Sequence, residues 1–321
     1  MILTTGELLY ILWPMKTNRI RATAMLFIAA FIWGGSFVVQ KLAGQYMGAF
    51  TYNGVRFAMG SISLFPVIML MEKPDTSKTR RTWLVGLAGG AVLFAAANLQ
   101  QFGIVLSNSP SSASEAGFIT GLYTVFVPLF GLLSGRKTTI MTWLSAILAF
   151  TGLALISIER SGIGSIHISY IFLVIGAVFW ALHILLIDHF VSSINPIRFA
   201  AIQFAVCSAL SLISAFSYET VSVSGLLDGI VPLLLGGVLS SGIAYTLQIL
   251  GQRGVEPTRS AIIFSLESLF AAISEAVLLG TVMTARKYIG GAVIFIGILL
   301  SQTSPGQKRK GACSHKGREN E

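Results

Sequence analysis

Apolar positions fill the chain in long runs, and polar residues appear mainly as short breaks between them. Ten such runs fall roughly at residues 22–40, 51–71, 82–106, 111–135, 138–158, 168–188, 196–216, 229–252, 258–280 and 286–303. Most approach or exceed the ~20 residues that a helix needs to span ~30 Å of hydrocarbon. The third, fifth and eighth hold no charged residue. The pattern predicts an all-α integral membrane protein with ten transmembrane helices. Composition agrees: of 321 residues, 54% are hydrophobic and 11% charged, more apolar surface than a soluble chain of this length encloses in one core.

The net charge of +9 raises the question of a nucleic-acid partner, and the placement of the cations answers it. With ten helices and both termini cytoplasmic, seventeen Lys and Arg residues fall inside and four (Lys41, Arg160, Arg286, Lys287) outside, with Arg56 within the second helix. This is the positive-inside bias of a protein in the cytoplasmic membrane. The basic balance reports topology in a lipid bilayer, not nucleic-acid binding. Cys207 and Cys313 offer no disulfide framework or metal spacing, and the histidines at 167, 183, 189 and 315 are too scattered for a metal site. No cofactor is expected. Residues 1–21 read as an N-terminal arm, whose first fourteen residues precede a second Met followed by Lys-Thr-Asn-Arg-Ile-Arg. That leader reads as a start-site extension or a disordered or interfacial arm. Residues 304–321 read as a basic, disordered cytoplasmic tail.

The chain also repeats itself. Trp33 pairs with Trp180, Gln101 with Gln248 and Pro110 with Pro257, all at an offset of 147 residues. VRFAMG (55–60) likewise resembles IRFAAI (197–202). Each half, 22–158 and 168–303, then holds five helices, joined by the linker 159–167. Five is odd, so the second half must enter the membrane from the opposite side. The expected fold is therefore two inverted five-helix repeats, with a binding site near the midplane where they meet.

Residues 98–131, NLQQFGIVLSNSPSSASEAGFITGLYTVFVPLFG, resemble the EamA-type repeat of the drug/metabolite transporter superfamily. So do residues 244–280, WGGSFVVQKL (33–42) and YIGGAVIFIGILL (288–300). The resemblance covers both halves. It implies a ten-helix secondary transporter, of a family that mostly exports amino acids, metabolites or drugs. Two departures stand out: Glu267-Ser268 where members often carry Glu-Pro, and Gly280-Thr281 where they often carry Gly-Glu.

Sequence position converts to depth at 1.5 Å per residue. Trp33 and Trp180 then lie ~16 and ~18 Å into their helices, at the midplane. Tryptophan favours the interfaces, so this pair either fills the bundle core or walls a substrate cavity. Glu267 lies ~13 Å deep, where a charge costs about 2.5–3.5 kcal/mol on insertion scales and is expected to face the bundle interior or water. It also occupies the position of the family's recurrent glutamate in the ninth helix. It is the leading candidate for substrate binding, coupling or gating; the competing reading is a structural hydrogen bond between the halves. His183, one turn from Trp180 on the same face, reads as a coupling group or a satisfied core histidine. Asn98 and Gln101 suit an outer vestibule, and Tyr245 and Gln248 an inner one.

Glu115 reads as a gating residue or as a charge tolerated at a helix start, with Ser109 as cap and Pro110 in the first turn. Pro128 suggests a kink. Glu275 reads as a solvated helix end. Arg56 and Arg198 read as anchors that reach toward the surfaces. Gly290, Gly291 and Gly297 permit close helix contact within a monomer or across a homodimer.

These features predict a secondary active transporter that exports a small molecule by alternating access. A channel or a facilitative carrier importing a metabolite is the alternative. An intramembrane enzyme is disfavoured: Ser36 and His183 lack an orienting carboxylate, no catalytic residue is assigned, and no Gly-x-Ser-x-Gly or His-Glu-x-x-His motif is present.

Overall fold

The computed structural model describes residues 19–71, 76–133, 140–157, 167–255 and 257–301. Most of the expected arm, the 159–167 linker except His167, and the 304–321 tail lie outside the described residues. Every regular element among them is helical. The first half comprises α1 (Arg19–Ala43), α2 (Ala49–Met71), α3 (Thr76–Val105), α4 (Ser112–Thr120), α5 (Tyr123–Leu133) and α6 (Ile140–Ser157). The second comprises α7 (Ile168–Phe190), α8 (Pro196–Tyr218), α9 (Val223–Asp228), α10 (Ile230–Leu234), a π-helical segment Leu235–Ala244, α11 (Tyr245–Gly254), α12 (Pro257–Leu279) and α13 (Ala285–Ser301). Six stretches are long and apolar enough to cross a membrane: Arg19–Ala43, Ser77–Val105, Ser112–Phe130, Ile168–Phe190, Pro196–Tyr218 and Ile230–Gln252. The other four expected spans overlap the helices α2, α6, α12 and α13 but are not among those six stretches.

The two halves interlock through repeat-related helices that run in opposite directions. On α2 and α8, Thr51 meets Glu219, Ser208 Oγ donates to Gly54 O at 2.7 Å, and Ser61 Oγ donates to Ala201 O at 3.0 Å. Residue numbers rise along one helix as they fall along the other. The same holds for α6 and α13, where Gly297 lies against Ser145 and Gly290 against Gly152 and Ile156. A Cβ on Gly290 would come within 2.8 Å of Gly152 O, so glycine is what lets these backbones approach. Those glycines serve contact within the chain. Helices related by the repeat thus pack antiparallel, the arrangement that five-helix halves dictate.

The surface is apolar and much of the interior is polar. Phe65, Phe216 and Val277 are 60–76% exposed, whereas glutamines, serines and glutamates are buried. This inverts the soluble pattern and is what lipid as solvent selects.

Two irregularities shape the centre. The stretch Ser112–Phe130 breaks at Gly121–Leu122, between α4 and α5, where i→i+3 bonds replace the α-helical pattern (Leu122 N to Ile119 O, Thr124 N to Gly121 O). The break lies a turn or more before Pro128, which sits inside α5. Ser268 Oγ, on the opposite half, donates to Gly117 O at 2.7 Å and steadies the break. Between α10 and α11, the π segment widens the helix and re-aims its carbonyls; such segments recur at functional sites.

Candidate substrate cavity and its distal closure

A cavity lies between the halves, lined from the first by Trp33, Gln100 and Thr120 and from the second by Trp180, Tyr245 and Glu267. Trp33 and Trp180 face it from equivalent positions, each half-buried and each anchored to the other half. The Trp33 indole donates to Ser240 O at 3.3 Å, in the π segment, and the Trp180 indole to Gln100 Oε1 at 2.7 Å. From Gln100 a relay runs back to Trp33: Gln100 Nε2 donates to Gln40 Oε1 (3.0 Å), Gln40 Nε2 to Ser36 O (3.3 Å), and Ser36 Oγ to Trp33 O (2.9 Å). The ring of Tyr245 lies between the indoles, 4.9 Å from Trp33 and 6.2 Å from Trp180. Both indoles line the cavity and also pack against the buried apolar clusters around it.

The polar lining is concentrated at two places. Glu267, 4% exposed, faces the cavity from α12, and the Tyr123 side chain reaches it from the α4–α5 break. Thr120, the residue equivalent to Glu267 at the 147-residue offset, lines the same space. Arg56 lines it from α2, its guanidinium 4.5 Å from the Phe57 ring centre and 5.1 Å from that of Tyr52.

At the end where α1 finishes and α4 and α13 begin (the distal end), buried ion pairs join the halves. Glu275 of α12 accepts from Lys41 Nζ and Ser114 N, both at 2.7 Å, and from Ser114 Oγ. Lys41 also bonds Pro110 O. Glu115 of α4 accepts from Lys287 Nζ (2.8 Å), Tyr170 OH (2.7 Å), Ser111 Oγ (2.6 Å) and Ser109 Oγ. A third carboxylate, Glu219, caps the start of α2, accepting from Phe50 N and Thr51 N at 2.8 Å, where the helix dipole favours an anion. The repeat-equivalent positions of Glu275 and Glu115 carry Pro128 and Ile262.

A family profile for EamA-like transporters matches residues 20–158 and again 167–303. The chain belongs to the EamA-like transporter family. It is similar to an Archaeoglobus fulgidus protein described as an uncharacterized transporter, 26% identical over 88% of this chain and 86% of the relative. A second relative from that organism, with the same description, is 25% identical over 89% of this chain and 97% of its own length. The Bacillus subtilis uncharacterized transporter YvbV is 26% identical over 64% and 66% of the two chains. A crystal structure of a protein aligns with a TM-score of 0.63 at 18% identity, over 88% of this chain and 97% of that one, a likeness of fold alone.

Of the residues singled out in this EamA-like transporter by sequence, Trp33, Trp180, Tyr245, Gln248 and Glu267 line one cavity. His183, Asn98 and Gln101 lie behind it. His183 Nε2 pairs with Gln203 Oε1 at 2.9 Å, Asn98 Nδ2 donates to Ser211 Oγ at 3.0 Å, and Gln101 Nε2 donates to Gln40 O at 2.9 Å. Glu115 is in the distal closure, away from the cavity lining. Its neighbours Ser109 and Ser111 spend their hydroxyls on its carboxylate, and the residue preceding α4, Ser111, makes no side-chain cap bond.

Two expectations are corrected. Glu275 is fully buried, because Lys41 and the first turn of α4 cover it. Arg56 does not reach a surface; at 2% exposure it is held inward over aromatic rings. Gln40, Gln100, Thr120, Tyr123 and Ser240 were not anticipated. Thr120 was findable as the repeat mate of Glu267, whereas Ser240 depends on π geometry that leaves no mark in the sequence.

Proposed function

We propose that this membrane transporter is a secondary carrier that exports a small organic molecule across the cytoplasmic membrane by alternating access. Ten helical spans, with both termini cytoplasmic, divide into units 22–158 and 168–303 that rock about the central cavity. The observation that carries the reading is a mid-membrane cavity walled by both repeats and holding an intramembrane carboxyl, Glu267, a type of residue that marks substrate and ion pathways. Glu267 takes part in substrate binding or coupling, with Trp33 and Trp180 gripping the apolar part of the cargo.

The distal ion pairs favour a carrier over an open channel. They close the outward end across the halves, and a carrier needs such bonds to be made in one state and broken in the other.

Flux into proteoliposomes, measured against a metabolite panel with and without a pH gradient, tests the reading. Glu267→Gln should abolish transport or uncouple it from the gradient while the protein stays folded. Normal gradient-dependent flux in that variant would make Glu267 structural and remove the proposed site.

A further inference from the structure

We infer that Arg56 is a specificity-determining residue of the cavity and binds an oxyanion, a carboxylate or phosphate group, on the transported molecule. The inference rests on the transport reading of the same cavity and adds the charge of the cargo.

Arg56 is 2% exposed within the apolar bundle, where an ionised side chain is costly unless a partner compensates it. Its partners within the chain compensate it incompletely. The guanidinium lies over the rings of Phe57 and Tyr52 at 4.5 and 5.1 Å, and the Tyr52 side chain is its neutral hydrogen-bonding neighbour, one such partner for a group with five N–H donors. Its Nε has no hydrogen-bond acceptor, and it takes part in neither distal ion pair.

A guanidinium offers a planar fork of donors and no acceptor, so what it lacks is an oxyanion. The cavity that it lines also carries unpartnered polar atoms at Thr120 Oγ1 and Gln248 Oε1, on side chains 3% and 2% exposed. Buried polar atoms left open around one cavity are the mark of a site that a ligand completes. Among the described residues no ion pair joins Glu267 to Arg56; the Glu267 carboxyl is met by Tyr123 of α5. The lining therefore has a cationic pole at α2 and an acceptor pole at α12, and both indoles line the same cavity. The cargo places its oxyanion at Arg56 and a hydrogen-bond donor toward Glu267.

The test uses the full chain in lipid nanodiscs and four matched probes: 3-phenylpropionate, phenyl phosphate, the neutral isostere 3-phenylpropionamide, and the cation phenethylamine. Binding is read by calorimetry. The wild type should bind at least one oxyanion probe tenfold or more tighter than the amide, and the two oxyanion arms separate carboxylate from phosphate recognition. Arg56→Gln should erase that preference by weakening the oxyanion alone, and Arg56→Lys should restore part of it. The wild-type comparison stands even if a variant fails to fold. Equal binding of amide and oxyanions, equal weakening of both by Arg56→Gln, or no binding of either oxyanion overturns the inference. In the proteoliposome assay, flux of a probe that binds independently of Arg56 would overturn it and leave the transport reading intact. Binding of an oxyanion without flux would count against transport alone.

Discussion

Neutralising Glu275 and Glu115 together should open the distal end of the bundle. The Glu275 carboxylate accepts from Lys41 Nζ at 2.7 Å, Ser114 N at 2.7 Å and Ala113 N at 3.3 Å, and from Ser114 Oγ, all in the other half. Glu115 bonds Lys287 and Tyr170 of the other half at 2.8 and 2.7 Å. Both carboxylates are buried, whereas the lysines are 21% and 18% exposed, so the gain lies toward the screened end of the range for buried pairs. Glutamine keeps the shape and some hydrogen bonds but loses the charge, which costs about 2 kcal/mol per site. If the bonds are made only in the distally closed state, each change shifts the open:closed ratio by ~30-fold, and the pair by ~1,000-fold.

Pulsed electron-spin distances between nitroxides at Gln45→Cys and Thr284→Cys read that ratio. Both residues are exposed and belong to different halves. Native Cys207 and Cys313 would be replaced by serine. Glu115→Gln/Glu275→Gln should add a longer-distance population, with a smaller one in each single variant. A folded double variant with an unchanged distance distribution would refute the reasoning: the pairs would then be fixed struts of a rigid seam.

Two further outcomes test the packing. Gly290→Val would push a side chain toward Gly152 O and Ile156 Cγ1, which lie only 2.8 and 2.9 Å from where the new Cβ would sit; overpacking of this kind costs about 1–3 kcal/mol, and the melting temperature in detergent should fall. Ser268→Ala leaves Gly117 O without the 2.7 Å bond that crosses the halves at the α4–α5 break, for a loss of about 1 kcal/mol. Thermal unfolding should register this, and an unchanged melting temperature would mean that the break is held by α4 and α5 alone.

Much of the architecture was legible in the chain. Apolar runs of spanning length marked the helices, the odd number of helices per half required inversion, and the 147-residue offset paired the two tryptophans that line one cavity. Glu267 was legible too, because depth follows from the rise per residue and a carboxyl at that depth needs a polar surrounding. These features depend on length, period and composition, which sequence carries directly.

Depth, however, says nothing about azimuth or cover. Glu275 sits near a helix end, where water was the expected partner, yet a lysine 234 positions earlier buries it. Asn98 and Gln101 share their depth with polar groups of the cavity, but their amides face Asn53, Ser211 and Gln40 instead. Arg56 could have reached out from α2, and the rings of Tyr52 and Phe57 hold it inward. The sequence by itself determined the helices, their alternation and the two-fold repeat, because each follows from local period and counting. Only the tertiary structure decided which polar groups satisfy one another and which are left facing the cavity, because that choice is made by partners as far as 234 residues away in the chain.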